Sequence, residues 1–79
     1  MSDIVSGTIS SLTLTGNQCI VVVNDASGRA QPPQTLKNSN GNYNALISAL
    51  LLASSSKYPV ELHTDNAGIE WVVVKVAEN

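Results

Sequence analysis

Apolar and polar residues near the start of the chain alternate in a way that is typical of β-strands. Residues 4–15 form the first run, in which Val5 and Ile9 share one parity and Leu12 and Leu14 the other. A strand keeps its apolar face on one parity, so this change predicts a bulge at Ser10-Ser11. Gly16-Asn17 then predicts a hairpin turn. The unbroken apolar run of residues 19–23 predicts a second strand that is buried on both faces.

The middle of the chain contains an irregular stretch followed by a helix. Pro32-Pro33 excludes a central strand there, and a short third strand is predicted over residues 34–37. From residue 43 to residue 56 apolar side chains recur three and four positions apart, which predicts a helix that Pro59 keeps from continuing. The predicted core face of this helix comprises Tyr43, Leu46, Ile47, Leu50 and Leu51.

Two more strands follow the helix. Residues 60–64 alternate cleanly, residues 69–76 are mostly apolar, and residues 65–68 predict a tight turn between them. In the last run the parity places Ile69, Trp71 and Val73 on one face. Val72, Val74 and Val76 are predicted to lie on the other face.

The order of these elements predicts the fold class. Strand, strand, strand, helix, strand, strand is the order of the five-stranded OB-fold barrel, in which the helix lies between the third and fourth strands. We therefore predict one domain, residues 1–79, that is mainly β with one helix and forms a five-stranded OB-fold barrel.

The length of the chain indicates that the domain is stabilised by association. A domain of 79 residues buries only about 60% of the surface that its unfolded chain exposes. Small domains gain stability from disulfides, a metal or a partner subunit. A single cysteine, Cys19, excludes an internal disulfide, and a single histidine, His63, leaves little for a zinc site. We therefore expect a homo-oligomer with no metal and no cofactor.

Charge narrows the classes of partner. Only 13% of the residues are charged, and the net charge is −2. Binding to a phosphate backbone requires a basic face, so we expect no nucleic-acid partner. A surface rich in hydroxyls and amides suits neutral polar ligands such as sugars, or coverage by a neighbouring subunit. No apolar stretch reaches the roughly 18 residues of a membrane helix, so we also expect no membrane span.

The predicted helix favours coverage by another subunit. No charged residue lies between Lys37 and Lys57, although the exposed face of a helix in a monomer normally carries charge. Its outer positions are small or apolar, namely Ala45, Ser48, Ala49, Leu52 and Ser55. We predict an oligomer interface at Ser48, Leu52 and Ser55. The alternative is a neutral outer face that is simply solvated.

Five segments resemble a known family when they are taken in chain order. They are Val5-Ser6-Gly7-Thr8-Ile9, Ile20-Val21-Val22-Val23, Ala49-Leu50-Leu51-Leu52, Val60-Glu61-Leu62-His63-Thr64, and residues 68–75. Together they resemble the receptor-binding B subunits of Shiga-type bacterial toxins, the pentameric enterotoxin-B-like family. The resemblance covers most of the chain.

The resemblance implies an OB-fold barrel in a ring of five subunits, with helices around a central pore. It also implies binding of cell-surface glycans of glycolipids on one face, and an enzymatic A chain as a partner. The intrachain disulfide of the family is absent from this sequence, since its two positions fall near Ile4 and Ala67. The Gly-rich turn is shortened to Ala67-Gly68, and Ile69 replaces a sugar-contacting aromatic residue. The N-terminus lacks the layout of a signal peptide. We therefore expect a secreted protein if the chain is a mature toxin-like form, and a cytoplasmic protein if it is not.

Candidate chemistry points to binding and away from catalysis. His63, Glu61 and Asp65 lie close together in sequence, but no paired nucleophile accompanies them, and we expect no enzyme. Tyr43 stands among Asn40, Asn42 and Asn44, the densest amide cluster, and aromatic rings with amides are typical of sugar sites. Trp71 is expected in the interior or at a subunit interface.

The residues nearest the family's glycan sites are Asn17, Asn42, Tyr43, Asp65 and Asn66. Taken with the resemblance, the sequence predicts an oligomeric, pentameric, non-enzymatic carbohydrate-binding module, a lectin similar to a toxin B subunit. The alternative is a structural, self-assembling OB-fold subunit that binds no small ligand.

Overall fold

The computed structural model describes residues 3–76, which form five antiparallel strands in one sheet and one helix in the predicted order. The elements are β1 (Asp3–Leu14), β2 (Gln18–Asn24), β3 (Gln34–Lys37), α1 (Tyr43–Ser56), β4 (Pro59–Asp65) and β5 (Gly68–Val74). The prediction of a mainly β fold with one helix is confirmed.

Strand β1 is shared between two neighbours. Its first half pairs with β4 and its second half with β2, and the register shifts between Ile9 and Ser11 as the serine pair predicted. Gly7 precedes the crossing point and has a positive φ of 150°. A Cβ at this position would overlap the carbonyl oxygen of Asn24, so the close approach of β2 requires glycine here.

The order of strands in the sheet is β3-β2-β1-β4-β5, which leaves β3 and β5 as its two edges. Within residues 3–76 the sheet is not closed, so the predicted barrel is open between these edges. They nevertheless lie close together. A Cβ on Gly68 of β5 would overlap the carbonyl oxygen of Thr35 in β3. The gap is bridged by Asn40, whose Nδ2 donates to the carbonyl oxygens of Ile69 and Glu70 at 3.1 and 3.0 Å.

The core lies between the inner face of the sheet and the helix. Its buried apolar residues are Ile9, Cys19, Val21, Val23, Leu36, Leu46, Leu50, Ala53, Val60, Leu62 and Ile69. In β2, Ile20 and Val22 are only half-buried. The prediction that this strand is buried on both faces is therefore wrong, because the core covers one face of the sheet.

Helix α1 places Leu46, Leu50 and Ala53 in the core. Leu51 does not join them, contrary to the predicted core face: it is 46% exposed. Successive helical residues are about 100° apart, so the residue after Leu50 turns away from the core. Lys57 ends the helix in the left-handed conformation, with φ 61°. Within residues 3–76 no helix is long and apolar enough to cross a lipid bilayer.

Strand β5 contains a second bulge, which changes the predicted faces. His63 pairs with Trp71 and Thr64 pairs with Ile69, so Glu70 is the extra residue. Ile69 is buried, whereas Trp71 and Val73 are exposed. The prediction that these three residues share a face is wrong because the bulge reverses the alternation. The strand also ends at Val74, and Val76 lies beyond it.

Candidate functional site

Three connecting segments lie along the approach of β3 to β5, with the β3–α1 loop next to each of the other two, and we call the three together the loop end. They are the β1–β2 turn (residues 15–17), the β3–α1 loop (residues 38–42) and the β4–β5 turn (residues 66–67). The backbone N–H of Asn38 donates to the carbonyl oxygen of Asn17 at 3.2 Å. Asn40 reaches β5 from the same loop. The β3–α1 loop is therefore hydrogen-bonded to the β1–β2 turn and to β5.

A cleft of about 570 Å³ lies at the start of α1, within the size range of small-ligand sites. It is lined by residues 38–45, which include Asn42 and Tyr43. Tyr43 is half-buried and packs against the core, so its ring anchors the helix start. The amides at positions 38, 42 and 44 are exposed to solvent. This cleft therefore offers a ligand several hydrogen-bonding groups but only the exposed part of the Tyr43 ring.

A second cleft adjoins the first and has a volume of about 210 Å³. Its lining residues are Lys37, Ser39, Asn40, Asp65, Ala67, Ile69 and Glu70. The backbone N–H of Ala67, at 2.7 Å, and a hydrogen bond shared with Glu70 hold the pKa of the Asp65 carboxyl below its usual value. The same shared hydrogen bond raises the pKa of Glu70. The cleft thus presents a carboxyl pair beside an ammonium group.

The five predicted ligand residues all lie in or next to the loop end, but they do not form one site. Asn42 and Tyr43 line the first cleft, and Asp65 lines the second. Asn66 is exposed in the β4–β5 turn, beside the second cleft. Asn17 contributes its carbonyl oxygen to the β3–α1 loop. Glu70 also lines the second cleft and has no signal in the sequence, because the bulge that brings it to Asp65 depends on the pairing of β5 with β4.

The outer face of α1 is neutral and partly apolar. Ser48, Leu52 and Ser55 are exposed on this face, as predicted. The hydroxyl of Ser48 donates to the carbonyl oxygen of Asn44 at 3.1 Å, and that of Ser55 donates to Leu52 at 3.2 Å. Both hydroxyls are therefore engaged by their own helix. Leu52 is 49% exposed, and Leu51 adds a second exposed leucine at the border of the face.

Two of the three groups considered for catalysis lie side by side, and the third lines a cleft. His63 and Glu61 lie on the outer face of β4, with 3.9 Å between His63 Nε2 and Glu61 Oε1, whereas Asp65 belongs to the second cleft. Cys19 is buried, and desolvation raises the pKa of its thiol. Among residues 3–76 no three His, Cys, Asp or Glu side chains are placed to hold a metal ion.

No protein-family model matches the chain, and no curated protein or solved structure matches it either.

Proposed function

We propose that the chain is a non-enzymatic, self-associating module that binds carbohydrate, assembled as a ring of five subunits. The observation that carries this proposal is the outer face of α1. Two leucines are about half exposed on a helix that has no charged residue. Burying the remaining surface of each leucine would contribute about 1 kcal/mol per subunit. In a ring of five, such a face is stabilised when the neighbouring copies around the axis cover it.

The arrangement of the strands supports an OB-fold for this module. The edges β3 and β5 lie side by side, so the sheet curls toward the closed order of that barrel. The helix lies between β3 and β4 in the chain, as in this fold, and it packs against β1 and β5. The same arrangement is consistent with the proposed likeness to toxin B subunits, which rests on the sequence.

The loop end supports a hydroxyl-rich ligand. Its two clefts present amides, a carboxyl pair and one ammonium group, and their apolar lining comes from Tyr43, Ala45, Ala67 and Ile69. Sugar hydroxyls both donate and accept hydrogen bonds, so they match amides and carboxylates equally well. A ring of subunits would present several such ends on one side, and avidity would then strengthen weak single contacts.

A second candidate is a structural subunit that assembles and binds no small ligand. It is favoured because polar groups of the loop end already form hydrogen bonds within the protein. Asn40 donates to two carbonyl oxygens of β5, and its Oδ1 accepts from the backbone N–H of Asn42 at 2.8 Å. Tyr43 packs on the core. In this view the loops serve to hold the edges of the sheet together.

An array of immobilised oligosaccharides distinguishes the two candidates. We expect the wild-type protein to bind, and Asn42→Ala and Asp65→Asn each to weaken binding about tenfold, the effect of one good hydrogen bond. Arg29→Ala is the matched control, because Arg29 is exposed in the β2–β3 connection at the other end of β2. Absence of binding by a wild-type protein that is assembled in solution would favour the structural subunit.

A further inference from the structure

The outer face of the sheet carries an ordered grid of side chains across β1, β4 and β5. Directly paired residues of antiparallel strands share a face. Ile4 pairs with His63 and His63 with Trp71, which forms the first row. Ser6 pairs with Glu61 and Glu61 with Val73, which forms the second row. We call these six residues the sheet-face patch.

An aromatic pair occupies one edge of the sheet-face patch. The rings of His63 and Trp71 stack with centroids 4.8 Å apart and an interplanar angle of 22°. Trp71 is nevertheless 49% exposed, so the stack covers one side of the indole and leaves the remainder open to solvent. The imidazole restricts the indole to one orientation, which lowers the entropic cost of placing a ligand against it.

The centre of the sheet-face patch is polar. Glu61 Oε2 accepts from Lys75 Nζ at 3.1 Å, and Oε1 lies 3.9 Å from His63 Nε2. Ion pairs at the surface contribute little stability, so both charged groups can exchange their contacts for those of a ligand. The hydroxyl of Ser6 lies in the same row. An open aromatic ring thus borders a carboxylate, an ammonium group and a hydroxyl.

We propose that the sheet-face patch is a saccharide-binding site in which Trp71 stacks on the apolar face of a sugar ring while Glu61 accepts hydrogen bonds from its hydroxyls. The sugar ring has an apolar side and a hydroxylated rim, which match the indole and the polar centre. A protein partner is disfavoured, because the middle of a protein interface is normally depleted of charge. This inference rests on the proposed carbohydrate-binding function. The sheet-face patch supplies the free aromatic ring that the loop end lacks.

Fluorescence of the protein tests this assignment directly, because Trp71 is its single tryptophan. The probe is the oligosaccharide that gives the strongest signal on the array, titrated into the wild-type assembly. We expect the saccharide to shift the emission and to reduce quenching by acrylamide. An emission spectrum and quenching that do not change at saturating saccharide would overturn the assignment.

Variants separate this site from the loop end. Trp71→Ala is expected to weaken array binding at least tenfold, Trp71→Phe to restore most of it, and Glu61→Gln to weaken it severalfold. Leu14→Ala is the control, because Leu14 is a comparably exposed apolar residue at the far end of β1. Full binding by folded Trp71→Ala together with loss in Asp65→Asn would overturn the sheet-face site and leave the proposed function intact. No binding by the wild-type protein would overturn both.

A second copy of the chain is the competing occupant of the sheet-face patch. Coverage by another subunit would make Trp71 inaccessible to acrylamide in the assembly without saccharide, and dilution to the monomer would restore quenching. That result would also overturn the saccharide assignment.

Discussion

Leu52→Glu is expected to dissociate the assembly into monomers. Leu52 lies about half exposed on the neutral face of α1, so the monomer accommodates a glutamate there with a change in stability of no more than about 0.5 kcal/mol. When the helices of several copies meet, one carboxylate from each copy is forced into the same confined space. Burying unpaired like charges costs several kcal/mol per site. Sedimentation velocity should show a smaller species, and the melting temperature of the assembled protein should fall sharply.

Ser48→Ala is the matched control on the same face. Its hydroxyl donates to the carbonyl oxygen of Asn44 within the helix, so its removal leaves the contact surface neutral. We expect its sedimentation coefficient and melting curve to match those of the wild type. A Leu52→Glu protein with an unaltered sedimentation coefficient and melting curve would show that α1 contacts only its own sheet.

Gly7→Ala is expected to lower the free energy of unfolding by about 3 kcal/mol or more. At φ 150° an alanine is strained, and its Cβ would overlap the carbonyl oxygen of Asn24 and lie 2.8 Å from Val23 Cγ1. Strands β1 and β2 must separate to admit it, at the point where β1 passes from β4 to β2. For a domain of this size the melting temperature should fall by more than about 10 °C, measured by circular dichroism.

Gly16→Ala serves as the comparison for this backbone effect. A Cβ on Gly16 would have no described atom within 4 Å outside its chain neighbours. We expect its melting temperature to stay within a few degrees of the wild-type value. Equal stability of the two variants would mean that β1 and β2 do not approach each other closely at Gly7.

The secondary structure was largely predictable because each element has a local signal. Apolar spacing defines α1 over residues 43–56, and Ser10-Ser11 marks the bulge in β1 at the observed place. Pro32-Pro33 and Pro59 bound the neighbouring strands, since a proline cannot donate to a ladder. These features depend on residues that are close in sequence, so one sequence is sufficient to locate them.

Features that depend on distant contacts were not predictable. Leu51 fits the helical spacing of a core residue, but the sheet covers only the face that contains Leu46, Leu50 and Ala53. The bulge at Glu70 arises from the pairing of β5 with β4, and it moves Ile69 inward and leaves Trp71 outside. The sheet-face patch follows from that bulge and from strand pairing between the two ends of the chain. Local sequence patterns contain no information about this bulge or about the pairing of distant strands.

Multi-angle light scattering of the wild-type protein across a range of concentrations measures directly whether the chain assembles and how many copies the assembly contains. For a ring of five subunits built through the neutral face of α1 we expect a single species with five times the chain mass of 8.3 kDa. A species of 8.3 kDa at every concentration would contradict it. The exposed leucines of α1 would then face solvent, and the proposal of a self-associating module would fail.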